Sequence, residues 1–130
     1  MPFRNTAQQN FTMLFILALC LMAGSGLETA QAANIIAFGD SITSGNMQRT
    51  GGYVPLLSDK LNKTGKPAKI VNTGVWGELT ANGAKRIDAV LTTVPPADIV
   101  LIMEGTNYVH TGVPVETTKA NLQAMIDKTK

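Results

Sequence analysis

Three short apolar runs alternate along the chain with three longer stretches in which apolar residues recur every three or four positions. The runs are Ile35-Ile36-Ala37-Phe38, Ile70-Val71 and Ile99-Val100-Leu101-Ile102. Continuous apolar runs without polar alternation mark strands covered on both faces, and the third run reads as fully buried. The spaced stretches predict helices over about 53–63, from about 80 to Pro95-Pro96, and over about 116–128. Their inner faces carry Val54, Leu57 and Leu61, then Ile87, Val90 and Leu91, then Leu122, Met125 and Ile126. Gly65 with Pro67 beyond it, and Pro95-Pro96, supply the stops. Strands from Ala68 to Asn72 and from Asp98 to Met103 complete the pattern. Strand and helix alternating three times predict an α/β fold, a parallel sheet with helical crossovers.

Ahead of the first strand the pattern differs. Met13 to Ala23 is one apolar run, with Arg4 before it and Ala30-Gln31-Ala32 after it. A positive start, a short apolar run and small residues at two closing positions are the layout of a secretory leader. The run is too short to span a bilayer. The expected division is a signal peptide over residues 1–32, cleaved after Ala32, and one exported domain over 33–130, periplasmic or secreted. An uncleaved membrane anchor is the alternative. Cys20, the chain's one cysteine, falls inside the leader, so the exported domain relies on its core without disulfides.

Composition narrows the function classes. At 45% hydrophobic and 15% charged residues the chain is neither a disordered segment nor a coiled coil. A net charge of +2, with lysines scattered and not interleaved with aromatics, gives no nucleic-acid footprint. One histidine and one cysteine make a zinc site improbable, and the glycine-rich loops lack the lysine of a phosphate-binding loop. No metal or other cofactor is expected.

The chemistry gathers in the loops that follow the strands, at the sheet edge where open α/β folds place ligands. The first loop opens Gly39-Asp40-Ser41-Ile42-Thr43, the second holds Asn72, Gly74 and Gly77, and the third holds Gly105-Thr106-Asn107. Gly39 reads as the breaker that ends the first strand. Acyl transfer needs a nucleophile and donors aimed at the oxyanion. Ser41 fits the first role. The Ser41 and Gly77 N–H groups and the Asn107 amide fit the second. Taken alone, the stretch reads more readily as an ordinary strand followed by a helix-capping serine. Asp40 is expected to fix its loop by accepting backbone hydrogen bonds. Glu78 and Glu104 read as helix caps more readily than as substrate contacts. Trp76 either lines an acyl pocket or packs.

Gly39-Asp40-Ser41-Ile42-Thr43, then Asn72-x-Gly74-x-x-Gly77, then Gly105-x-Asn107 resemble the first three sequence blocks of the SGNH (GDSL-type) hydrolases, most of all secreted bacterial lysophospholipase- and thioesterase-type esterases. The resemblance covers about residues 34–128. It implies a three-layer flavodoxin-like sheet with helices on both faces and strands in the order 2-1-3. It implies hydrolysis of a small-molecule ester, thioester or lipid through a seryl acyl-enzyme, with Ser41 as nucleophile and Gly77 and Asn107 completing the oxyanion hole. Two departures stand out. Tyr108 follows Asn107 where the family usually has Asp. The family's Asp-x-x-His block, which supplies the base, has no counterpart through Lys130, so the chain reads as the N-terminal portion of the domain, impaired as an enzyme. His110, the one histidine, reads as a surface-loop residue. A non-catalytic ligand-binding protein and a non-functional gene fragment are the alternative readings. With the order 2-1-3, the third strand is also expected to be an apolar edge prone to self-association.

Overall fold

The computed structural model describes residues 31–130 apart from Met47 and His110. Residues 1–30 of the leader expected over 1–32 lie outside the described residues, as do Cys20 within it and His110. Three strands, β1 (Ala33–Gly39), β2 (Ala68–Gly74) and β3 (Ile99–Met103), form a parallel sheet in the order β2-β1-β3. Four helices connect and follow them: α1 (Ser41–Ser44), α2 (Tyr53–Lys63), α3 (Thr80–Thr93) and α4 (Val115–Lys128). A short 3-10 turn, Thr106–Tyr108, follows β3. The alternation, the parallel pairing and the strand order are those the sequence led to expect.

The central strand is the most deeply buried. Ile35 through Asp40 are all buried, and alternate side chains go to opposite faces. Ile36 and Phe38 join Ile87 of α3 and Met125 of α4 in one apolar cluster, completed by Leu91, Val100, Ile102 and Leu122. On the other face α1 and α2 lie against β2, and Val54 is buried. Among the described residues no helix is long and apolar enough to cross a membrane.

Three expectations need correction. β2 runs to Gly74, two residues past its expected end, because Phe38↔Thr73 and Gly39↔Gly74 continue the ladder. β3 is not fully buried: Ile99 is 45% and Met103 42% exposed. Among the described residues β3 pairs with β1 alone, so its outer edge has no strand beside it. Ile126 is 41% exposed, because Leu122 and Met125 already fill the face of α4 that meets α3.

Candidate active site

Ser41 sits where β1 gives way to α1. Asp40 is the N-cap of α1, and its carboxylate accepts the Ile42 N–H at 2.9 Å. The buried Asp40 also donates its own N–H to the Met103 carbonyl at 3.2 Å, fixing the turn to the end of β3. Asp40 therefore holds the loop, as expected from its sequence context. Ser41 is half-buried, and among the described residues its N–H has no hydrogen-bond partner.

The second loop is tied to the first. The Val75 N–H donates to the Gly39 carbonyl at 2.8 Å, and the Asn72 amide donates to the Thr43 carbonyl at 2.8 Å. Asn72 also accepts the Gly74 N–H, at 2.9 Å. Gly77 adopts φ +70, the left-handed region that glycine enters without a Cβ penalty. Trp76 beside it is 68% exposed, so it is not a packing residue.

The third loop reaches the same place. The Asn107 side-chain nitrogen donates to the Glu78 carbonyl at 2.8 Å and lies 3.4 Å from the Asp40 carboxylate. Asn107 is thus joined to the residue after Gly77 and to the residue before Ser41. The structure therefore brings together the three loops that hold Ser41, Gly77 and Asn107.

Beneath these loops lies a charged cluster that the sequence reading missed. Glu78 is buried and does not cap a helix. Its carboxylate takes a bidentate pair from Arg86, with Nε at 2.6 Å and Nη2 at 2.5 Å. The guanidinium also lies 4.0 Å from the centroid of the Phe38 ring, and Nη2 is 3.4 Å from the Gly39 carbonyl. Glu104 does not cap a helix either. Both of its carboxyl oxygens are closed to solvent, and the group is pushed up from 4.5 to about 8, first by burial, then by Glu78 and Asp40, against the pull of Arg86. The available signal was Thr80, Gly83 and Ile87 forming the inner stripe of α3, with Arg86 adjoining it at a position where an exposed cation has no reason to be. Among the described residues no group of three metal-ligating side chains occurs.

The profile of the GDSL-like Lipase/Acylhydrolase family matches residues 37–130, most of the chain. The chain belongs to this family. It is similar to an arylesterase of Vibrio mimicus, 31% identical over 116 residues that make up 88% of this chain and 56% of that protein. It is also similar to the esterase TesA of Pseudomonas aeruginosa, 28% identical over 88% of this chain and 57% of that one. Among solved structures, the SGNH-hydrolase family esterase AlinE4 superposes with a TM-score of 0.71 at 29% identity, over 78% of this chain and 55% of that one. The chain thus spans about half the length of the curated relatives it matches.

If Asn107 serves as an oxyanion donor in this GDSL-family site, Asn107→Ala lowers kcat by about 10²–10³ in the complete gene product. KM barely moves, because the donor acts on charge that develops in the transition state. Steady-state kinetics on a nitrophenyl ester check this, and an effect confined to KM refutes it.

Proposed function

We propose that the protein is an exported serine esterase that hydrolyses a small-molecule ester, thioester or lipid through a seryl acyl-enzyme. Ser41 is the nucleophile. The Ser41 and Gly77 N–H groups and the Asn107 amide form the oxyanion hole. The observation that carries the reading is the convergence of the three loops, drawn together by the bonds of Asn107 to Glu78 and Asp40 and of Val75 to Gly39. The esterases among the relatives support the same class of reaction. An apolar recess of about 340 Å³ between the loop after β3 and α4, lined by Gly105, Tyr108, Val109, Val113 and Val115, is the proposed seat of the acyl or alcohol portion. The leader-like N-terminal pattern supports export.

A reactive phosphonate ester tests the reading directly. The complete gene product should be labelled once, and peptide mass spectrometry should place the adduct on Ser41. An adduct elsewhere, or none, overturns the assignment.

Two further points belong to this proposal. The 130-residue chain by itself should turn over esters weakly, because a serine hydroxyl needs a base and the chain holds one histidine. Robust hydrolysis that His110→Ala removes would make His110 that base. Residues 33–130 on their own should also self-associate through the outer edge of β3, where Ile99 and Met103 are exposed and no Lys or Pro interrupts the strand. Light scattering across a concentration series checks this, and a monomer throughout refutes it.

A further inference from the structure

Glu104 poses a problem that ordinary hydrogen bonding does not solve. Both of its oxygens are closed to solvent, yet among the described residues neither has a partner. Its surroundings come from several elements. The Glu78 carboxyl, just before α3, lies within hydrogen-bonding reach, and Asp40, at the junction of β1 and α1, adds a second negative group. Arg86 of α3 is the cation that faces it, but Arg86 already spends Nε and Nη2 on Glu78. Apolar groups of β1 and α4 stand close by. A Cβ built on Gly83 would stand 3.5 Å from the Glu104 carboxyl carbon, 3.3 Å from Phe38 and 3.1 Å from the Met125 sulfur.

Two ionised carboxylates offer only acceptors to each other. A single proton between them turns repulsion into a charge-assisted hydrogen bond. We infer that Glu104 is a positioning residue held in its protonated form, its carboxyl O–H donating to the Glu78 carboxylate and so fastening the loop after β3 to the loop after β2. The proton gives one of the two Glu104 oxygens the partner it otherwise lacks. The Glu78 carbonyl holds the Asn107 amide, and Glu104 lies three residues before Asn107 in the same loop. Asn107 is thus restrained through its side chain and through its backbone by the same pair. Burial, Glu78 and Asp40 together raise Glu104 to about 8.

The sign of the pH effect follows. The folded protein keeps at neutral pH a proton that an unfolded glutamate, near 4.5, has released. The stability tied to that proton is complete below 4.5, falls as pH rises from there to about 8, and is gone above it. The fastening of the two loops is lost over the last part of that range.

The catalytic side of this inference rests on the esterase reading, but the protonation of Glu104 does not, and the experiment separates the two. Trp76, the one tryptophan of these 130 residues, is exposed in the loop that Glu78 closes, and with any tryptophan outside them replaced by phenylalanine it reports on that loop by fluorescence. In the complete gene product, Trp76 emission, kcat with KM, and the NMR signals of the glutamate carboxyl carbons are followed from about pH 6 to about pH 10. The wild type should show one Glu carboxyl titrating near 8, with a matching change in Trp76 emission. Glu104→Ala, which lacks the donor, should show the alkaline emission already at neutral pH and lose on the order of tenfold to a hundredfold in kcat, with KM less affected. Glu104→Gln keeps an N–H donor that does not titrate. It should rescue the neutral emission and the turnover, and abolish the alkaline transition. A glutamine variant that retains the transition, or a Glu104 that titrates in the ordinary carboxylate range, overturns the inference. If no ester is turned over while the NMR and fluorescence titrations behave as stated, the esterase reading fails and the Glu104 assignment stands. If esters are hydrolysed while Glu104 titrates normally, only the Glu104 assignment fails.

Discussion

Ser41→Ala should lower ester turnover by about 10⁴–10⁶ in the complete gene product, the scale set by nucleophile removal in serine hydrolases. The expectation comes from position. Asp40 caps α1 through the Ile42 N–H and anchors its own N–H on Met103, so the residue between them cannot drift from the mouth of the three loops. The Ser41 hydroxyl makes no hydrogen bond among the described residues that the fold depends on; the carbonyl, not the hydroxyl, accepts from Ser44 and Gly45. The alanine variant should therefore fold normally, with unchanged circular dichroism and an unchanged thermal transition. Substrate should still bind with a similar KM, because the apolar recess proposed to hold it remains. If the variant keeps more than about a hundredth of wild-type kcat, the nucleophile lies elsewhere. If it unfolds, Ser41 acts as a structural cap and the assignment has not been met on its own terms.

The contrast with Asn107 is informative. Its side chain carries the fold as well as the proposed chemistry, since it joins Glu78 to Asp40. A change at Asn107 therefore mixes lost oxyanion stabilisation with a loosened loop. A change at Ser41 removes one bond-forming atom and little else. The two variants together distinguish a site built for acyl transfer from one that only retains its shape.

The pattern of apolar runs was enough to place β1 and the paired helices, because burial on both faces leaves an unbroken signature in the sequence. It overstated the burial of β3, since an apolar run reports what a strand is suited to meet and not whether a neighbour is present. The three loops were legible from Ser41, Gly77 and Asn107, whose spacing after each strand places them at one sheet edge. The Glu78–Arg86–Glu104 cluster was not legible. Glu78 and Arg86 are eight positions apart and Glu104 belongs to another loop, so no local periodicity links them. The acids stood at loop ends, where helix capping is the ordinary explanation. Asp98 shows how far local reading can go wrong in the other direction: it stands outside β3, and its carboxylate accepts the Asn34 N–H of β1 at 2.8 Å, a long-range tie that the sequence does not announce.

Gly39 shows what a motif leaves unsaid, and it carries a large expected effect on stability. Its place before Asp40 suggests a breaker that ends the strand. β1 does end at Gly39, but Gly39 is itself paired, opposite both Gly74 and Met103, and its φ is not among the left-handed ones. Glycine is required there for space. A Cβ would stand 2.2 Å from the Met103 carbonyl oxygen and 2.3 Å from the Thr43 hydroxyl. The carbonyl belongs to the neighbouring backbone and is the acceptor of the Asp40 N–H, so it cannot yield without opening β1 from β3 and releasing the turn that presents Ser41. Gly39→Ala should cost about 3 kcal/mol or more, the upper end of the usual penalty for overpacking. A domain of this size has only about 5–15 kcal/mol of stability. Gly65→Ala is the control. At φ +70 it is strained, but nothing lies within 4 Å of its Cβ, so its cost should stay near the 1–2 kcal/mol of a left-handed non-glycine residue. Urea denaturation of the two variants checks the difference. Equal losses would mean that β3 moves aside to admit the methyl group, and that the close contact of the three strand ends is not what holds Ser41 in place.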